Sequence, residues 1–214
     1  MPEFQLQTVD ALLASYAAGM LPEPARVLVE AHLEMKIGGR TKAGAFEALL
    51  GQTIEEIEPV DVVSRDMALE AIFSARPVET KAVSTDDENG VFPLAIRKFI
   101  GMDAPDIPWK RRLPGFKEYD LGKIDGCDVS ILHIRAGRTM PSHTHEGHEL
   151  TLVLEGAFAD TRGRYGKGDL TVADESVDHR PIAEKGGPCI AFAVCDAPLK
   201  LTGSIRQRLS DLIG

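Results

Sequence analysis

The chain has 214 residues, enough for one large domain or two small ones, and its 43% hydrophobic and 27% charged residues suit an ordinary globular protein. No run approaches the ~18 uninterrupted apolar residues of a membrane span, and the start lacks the basic and apolar regions of a secretory signal, so no membrane partner and a cytoplasmic location are expected. A formal net charge of −9 argues against direct DNA binding, which needs clustered Lys and Arg, and favours a protein partner.

The first seventy-five residues carry helical periodicity. Asp10 to Ala18 has apolar residues at helical spacing, with Gly19 in a C-cap position. Pro22 and Pro24 sit where a helix start tolerates proline, and Ala25 to Met35 continues with Val27, Leu28 and Ala31 on one side. Gly38 and Gly39 are expected to break that helix. Thr41 is expected to cap a third, running to about Ile57 with Phe46, Leu49 and Leu50. Ser64 is expected to cap a fourth, its apolar face made of Met67, Ala68, Ala71 and Ile72. A helical module of about 60 residues is marginal alone, because it buries only ~60% of its unfolded surface. Docking on the second half, or dimerisation, would complete it.

Residues Arg76 to Gly90 are polar, charged and without either period, and read as a linker. The expected division is therefore a helical domain over 1–75, a linker over 76–91 and a second domain over 92–214. A short helix is expected over Leu94 to Ile100. From Trp109 onward, short β runs alternate with Gly, Pro and Asp punctuation, as at Val129 to Ile134, Leu150 to Leu154 and Ile190 to Val194, which suits a sandwich or barrel. Ser204 to Ile213 reads as a closing helix with Ile205, Leu209, Leu212 and Ile213 apolar. The fold class is α+β. Cys127, Cys189 and Cys195 give no disulfide framework, and buried apolar filler is their expected role.

Chemistry concentrates between Gly137 and Gly156, where the residues follow G-x5-H-x-H-x3-E-x6-G. Along an extended strand side chains alternate faces, so His143, His145 and Glu149 can project to one side. Two imidazoles and a carboxylate converging there form half of a metal site. About thirty residues on, the stretch from Gly168 ends in His179, a candidate for the fourth ligand. His148 is out of phase and is expected at the surface or behind the ligands. His133 alternates with Val129 and Ile131, and is either a satisfied core histidine or a group facing the pocket.

These two stretches resemble the paired motifs of the cupin family, small β-barrels that hold a divalent metal. The first motif matches at every defining position. The second keeps Gly168 and His179 but has Asp174 in place of proline, Ser176 of glycine and Ala183 of asparagine. The resemblance implies a ligand set of His143, His145, Glu149 and His179. It implies one divalent metal per chain, with zinc the first expectation and iron, manganese or nickel the alternatives.

Almost the whole chain resembles the ChrR-type anti-sigma factors, in which a helical sigma-binding domain precedes a cupin-like sensor. The likeness rests on Asp10 to Gly19 and on His32 in the second helix. In the other half it rests on His145 to Phe158, the Tyr165-Gly-Lys-Gly-Asp169 turn and His179. Such helical domains commonly carry zinc through H-x3-C-x2-C. Here Lys36 and Gly39 follow His32 at the cysteine places, so the helical domain is expected to be zinc-free and His32 an ordinary helix residue. Lysine must lose a proton at about 10.4 to ligate, and glycine has no side chain.

The resemblance implies a transcriptional regulator that sequesters an alternative sigma factor and senses stress or a small ligand, without catalysis. Two alternatives stay open. One is a metal-dependent cupin dioxygenase or isomerase, since an octahedral metal would keep positions free for substrate. The other is a binding protein that has lost its sigma partner. A homodimer through the barrel is also left open.

Overall fold

The computed structural model describes residues 8–60, 64–76 and 90–204. Most of the expected linker and all of the expected closing helix after Ser204 fall outside the described residues. Four helices come first: α1 (Val9–Ala17), α2 (Glu23–Met35), α3 (Ile37–Glu55) and α4 (Arg65–Ser74). Helix α5 (Leu94–Ile100) and a 3₁₀ turn (Ala104–Asp106) lead into eleven strands. A six-stranded antiparallel sheet has the order β1 (Lys110–Leu113), β2 (Phe116–Ile124), β3 (Cys127–Ile134), β10 (Cys189–Cys195), β5 (Glu149–Glu155), β8 (Leu170–Ala173). Two small sheets complete the barrel: β11 (Leu199–Leu201) with β4 (His143–His145), and β7 (Arg164–Gly166), β6 (Ala157–Ala159), β9 (Ile182–Ala183). This is the α+β arrangement the sequence implies, helices followed by a cupin-type barrel.

The local signals of α1 act as expected. The Thr8 hydroxyl accepts from Ala11 N–H at 3.1 Å, and Gly19 follows the helix at φ +67°. The next junction differs. Helix α2 stops at Lys36, whose backbone is extended (φ −128°, ψ 110°), and α3 already runs through Gly38 and Gly39. Neither glycine breaks a helix. Gly39 is needed for a close approach instead, since a Cβ there would sit 2.7 Å from His32 Nε2. Thr41 therefore lies inside α3 and caps nothing. Ser64 does precede α4, but in a left-handed conformation and without a side-chain cap.

The central strands β5 and β10 are buried on both faces, which is why they read as nearly continuous apolar runs, while β1 and β2 stay exposed or half-buried. One face presents Val129, Ile131, Leu150, Leu152, Leu154, Ile190, Phe192 and Val194. These share one core with Leu12 and Leu13 of α1, Leu28, Val29 and Ala31 of α2, and Ile96 of α5. Phe99 of α5 meets Phe192 edge-on, with ring centroids 6.1 Å apart. The barrel interior is separate: Ile134, Val153, Phe158, Ala183 and Cys189. The first two helices thus complete their core on the barrel, the solution a marginal helical module requires. Helix α4 buries no residue, and Ile72 and Phe73 are 66% and 83% exposed.

Candidate metal centre

Three elements bring the candidate ligands together. Strand β4 carries His143 and His145, separated by the one residue that keeps both on the same face. It pairs with β11 on one side, and on the other His143 and His179 exchange two backbone hydrogen bonds of 3.0 Å. Glu149 opens β5 on the interior side, with Ala173 and Cys195 as its cross-strand neighbours. The four side chains, His143, His145, Glu149 and His179, are buried and their ligand atoms lie within 4.8 Å of one another.

The turn before His179 departs from the motif it resembles, yet it closes. The Asp174 carboxylate accepts from the Ser176 amide at 2.9 Å and from its hydroxyl at 2.5 Å, while Val177 N–H donates to the Asp174 carbonyl. Ser176 is not among the residues with positive φ, so no glycine is required there. Side-chain hydrogen bonds of the Asx type do the work that proline and glycine conformations do in the motif. Ala183, in the place of asparagine, packs into the barrel interior.

The hydrogen bonds around the imidazoles decide their tautomers. The His143 Nδ1–H donates to the Pro141 carbonyl at 2.8 Å, and the His179 Nδ1–H donates to the Asp160 carboxylate at 3.0 Å. Both Nε2 atoms are then bare lone pairs, and they face each other at 2.8 Å. Two acceptors at that distance repel unless a cation or proton lies between them. His145 Nε2 stands 3.4 Å from His179 Nε2 and 3.3 Å from Glu149 Oε2, close to the ~3.3 Å edge of a tetrahedron with metal–ligand bonds of about 2.0–2.1 Å. The donor set fits a divalent metal, and the partners behind His143 and His179 are of the kind that orient metal-ligating histidines. His145 is the exception, its buried Nδ1 having no hydrogen-bond partner.

Burial sets the charge state the metal would meet. It lowers His143 and His145 to about 4 from an ordinary 6.5, the neighbouring imidazoles adding to the effect, and it also lowers His179. It raises Glu149 to about 7, opposed by the Arg162 guanidinium. Near neutrality the imidazoles are therefore neutral, as ligands must be, and only Glu149 carries a proton for a metal to displace.

Asp160 and Arg162 were not marked by any sequence pattern. Asp160 lies in a turn 19 residues before the His179 it orients, and its other oxygen accepts from the Arg162 and Gly163 amides at 2.8 and 3.2 Å. Arg162 donates to the Val172 carbonyl at 2.8 Å. His148 is held by Asp196 at 3.1 Å, outside the ligand cluster. His133 lies on the sheet face opposite Glu149, with Val129 and Ile131, and its ring meets Trp109 at 5.4 Å. It does not face the barrel interior. Burial raises the thiols of Cys127, Cys189 and Cys195, which keeps them protonated and suits filler. His32 lies outside the ligand cluster, and its Nδ1–H donates to the Gly168 carbonyl at 2.8 Å.

Comparison with known proteins places these features. The ChrR cupin-like domain family matches residues 97–197. The anti-sigma-E factor ChrR of Cereibacter sphaeroides is 36% identical over 192 residues, 89% of each chain. The crystal structure of Rhodobacter sphaeroides SigE in complex with the anti-sigma ChrR contains a similar chain, with a TM-score of 0.71 and 34% identity. That match covers 88% of this chain and 97% of the other.

Proposed function

The chain belongs to the ChrR anti-sigma family, and from that premise we propose that its helical segment sequesters an alternative sigma factor while its barrel holds one divalent metal, zinc foremost, on His143, His145, Glu149 and His179. A relative matched along nearly the whole chain is an anti-sigma factor. Among the described residues, no helix is long and apolar enough to cross a membrane.

One observation carries the sigma-binding reading: beyond the apolar side that the barrel covers, α3 and α4 leave large apolar side chains exposed. These are Leu49 and Ile54 on α3 and Met67, Ile72 and Phe73 on α4, each more than 60% exposed. Apolar exposure on that scale marks a surface made for a protein partner. Helices α1 and α2 spend their apolar residues on the barrel, so the partner engages α3 and α4. Co-expression with the alternative sigma factors of the same genome tests this. A stable one-to-one complex is expected, lost on Ile72→Asp with Phe73→Asp; a complex that survives both changes would move the partner to another surface.

The metal, once bound, supplies a positive centre that removes the repulsion between the His143 and His179 lone pairs. The chain does the rest: Pro141 and Asp160 fix two ring tautomers, and the buried walls exclude water. The four ligands are all less than a tenth exposed. Such a closed site favours retention and sensing over turnover of a substrate. Metal content per chain by mass spectrometry, in the wild type beside His145→Ala, tests the assignment. One equivalent is expected, lost in the variant.

A further inference from the structure

Helix α2 has no side-chain cap of its own at its first turn, where Pro22 occupies the N-cap position. The missing acceptor comes from the barrel. Asp125, in the β2–β3 turn, accepts from the Glu23 N–H at 2.9 Å, placing a carboxylate at the positive end of the helix. The other end meets the barrel too. His32 donates to the Gly168 carbonyl in the turn before β8, and Lys36 Nζ lies 3.3 Å from the Asp169 carboxylate. The contact is tight: a Cβ on Gly168 would sit 3.1 Å from Met35 Cβ. The Lys36 pair is about 40% exposed on both sides, so the buried His32 bond is the stronger of the two. Between these ends, the apolar side of α2 lies in the core it shares with the sheet.

We infer that the barrel clamps α2 at both ends through Asp125 and Gly168, so that the first two helices and the barrel open as one cooperative unit. The clamp also fixes the bend at Lys36 and with it the direction of α3, which carries the exposed Leu49 and Ile54. Gly168 stands at the head of β8, and the last residue of β8, Ala173, pairs with Glu149. A disturbance at the far end of that strand therefore has a continuous backbone route to α2. The inference depends neither on what α3 and α4 bind nor on which metal the barrel holds.

Native-state hydrogen exchange of the full chain across low denaturant tests it. In the wild type, the amides of Leu28 and Val29 are expected to join those of Leu152 and Phe192 in a single opening. Helix amides that open at clearly lower denaturant than the barrel amides would overturn the clamp, and this measurement needs no variant. Asp125→Gly suits the positive φ of 48° at that position and removes the carboxylate. Combined with His32→Leu, it is expected to speed exchange in α2 about tenfold or more while barrel protection holds. Unchanged α2 exchange in the double variant would equally sink the inference.

Discussion

The two faces of the central strands β5 and β10 are both buried and held by different forces. Strand β5 shows both at once: Leu150, Leu152 and Leu154 face the helices, while Glu149, Thr151 and Val153 face the interior. The first face is stabilised by apolar contact, which ignores pH and chelators. The second places a carboxylate among three imidazoles, whose lone-pair repulsions a cation or a shared proton settles. Burial alone therefore does not tell what stabilises a residue; the chemistry of its neighbours does.

The comparison can be broken most forcefully from the helical side. Phe192→Ala, in the core between sheet and helices, is expected to cost ~3–5 kcal/mol in urea unfolding, with the same loss before and after chelation. A loss that depended on metal would mean the two faces are not separable. On the interior side, Asp160→Ala removes the group that orients His179 and is expected to weaken metal binding about 10–100-fold in competition titrations. An unchanged affinity would show the carboxylate to be dispensable.

Acidity discriminates between the faces more finely. Glu149 titrates at about 7 against an ordinary 4.5, so the folded metal-free chain holds an extra proton between those values and loses stability as pH rises through that window. His143 and His145 titrate at about 4 against 6.5, so their contribution is lost as pH falls from 6.5 toward 4. Two imidazoles outweigh one carboxyl where the windows overlap. The metal-free chain is thus expected to be most stable near pH 6.5, and a monotonic profile would contradict the assignment. Metal affinity should climb about tenfold per unit of pH below that of Glu149 and flatten above it, because one proton is displaced. The smallest effect is expected on α4, where Ile72→Ala should change stability by no more than ~0.5 kcal/mol while weakening the proposed capture of a sigma factor.

The cluster of candidate ligands was legible because the motif that marks most of it is local. His143 and His145 alternate along β4 as expected, but a short connection over 146–148 intervenes and Glu149 opens β5 in another sheet, so no single extended strand carries all three. His179 was marked by the resemblance of its own stretch. The helix ends at Gly19, Pro22 and Ile100 were legible for the same reason. The bend at Lys36 was not, because a pair of glycines signals a break whether it serves one or, as at Gly39, lets an imidazole approach. Asp160 was invisible because its partner lies in a different sheet region. Nor could periodicity distinguish the α2 face, which the barrel covers, from the α4 face, which stays open. Both carry apolar residues at helical spacing, and only the tertiary structure shows which are covered.

The backbone bridge between His143 and His179 joins residues 36 positions apart. A metal shared by those two side chains would close a loop of that length, as a disulfide does. For such a span the chain-entropy model removes about 4 kcal/mol of freedom from the unfolded state. With its three thiols free, this chain would obtain from a cation the covalent-like staple that secreted domains obtain from cystine. Unlike cystine, that staple can be withdrawn by a chelator or by acid and restored without enzymatic help.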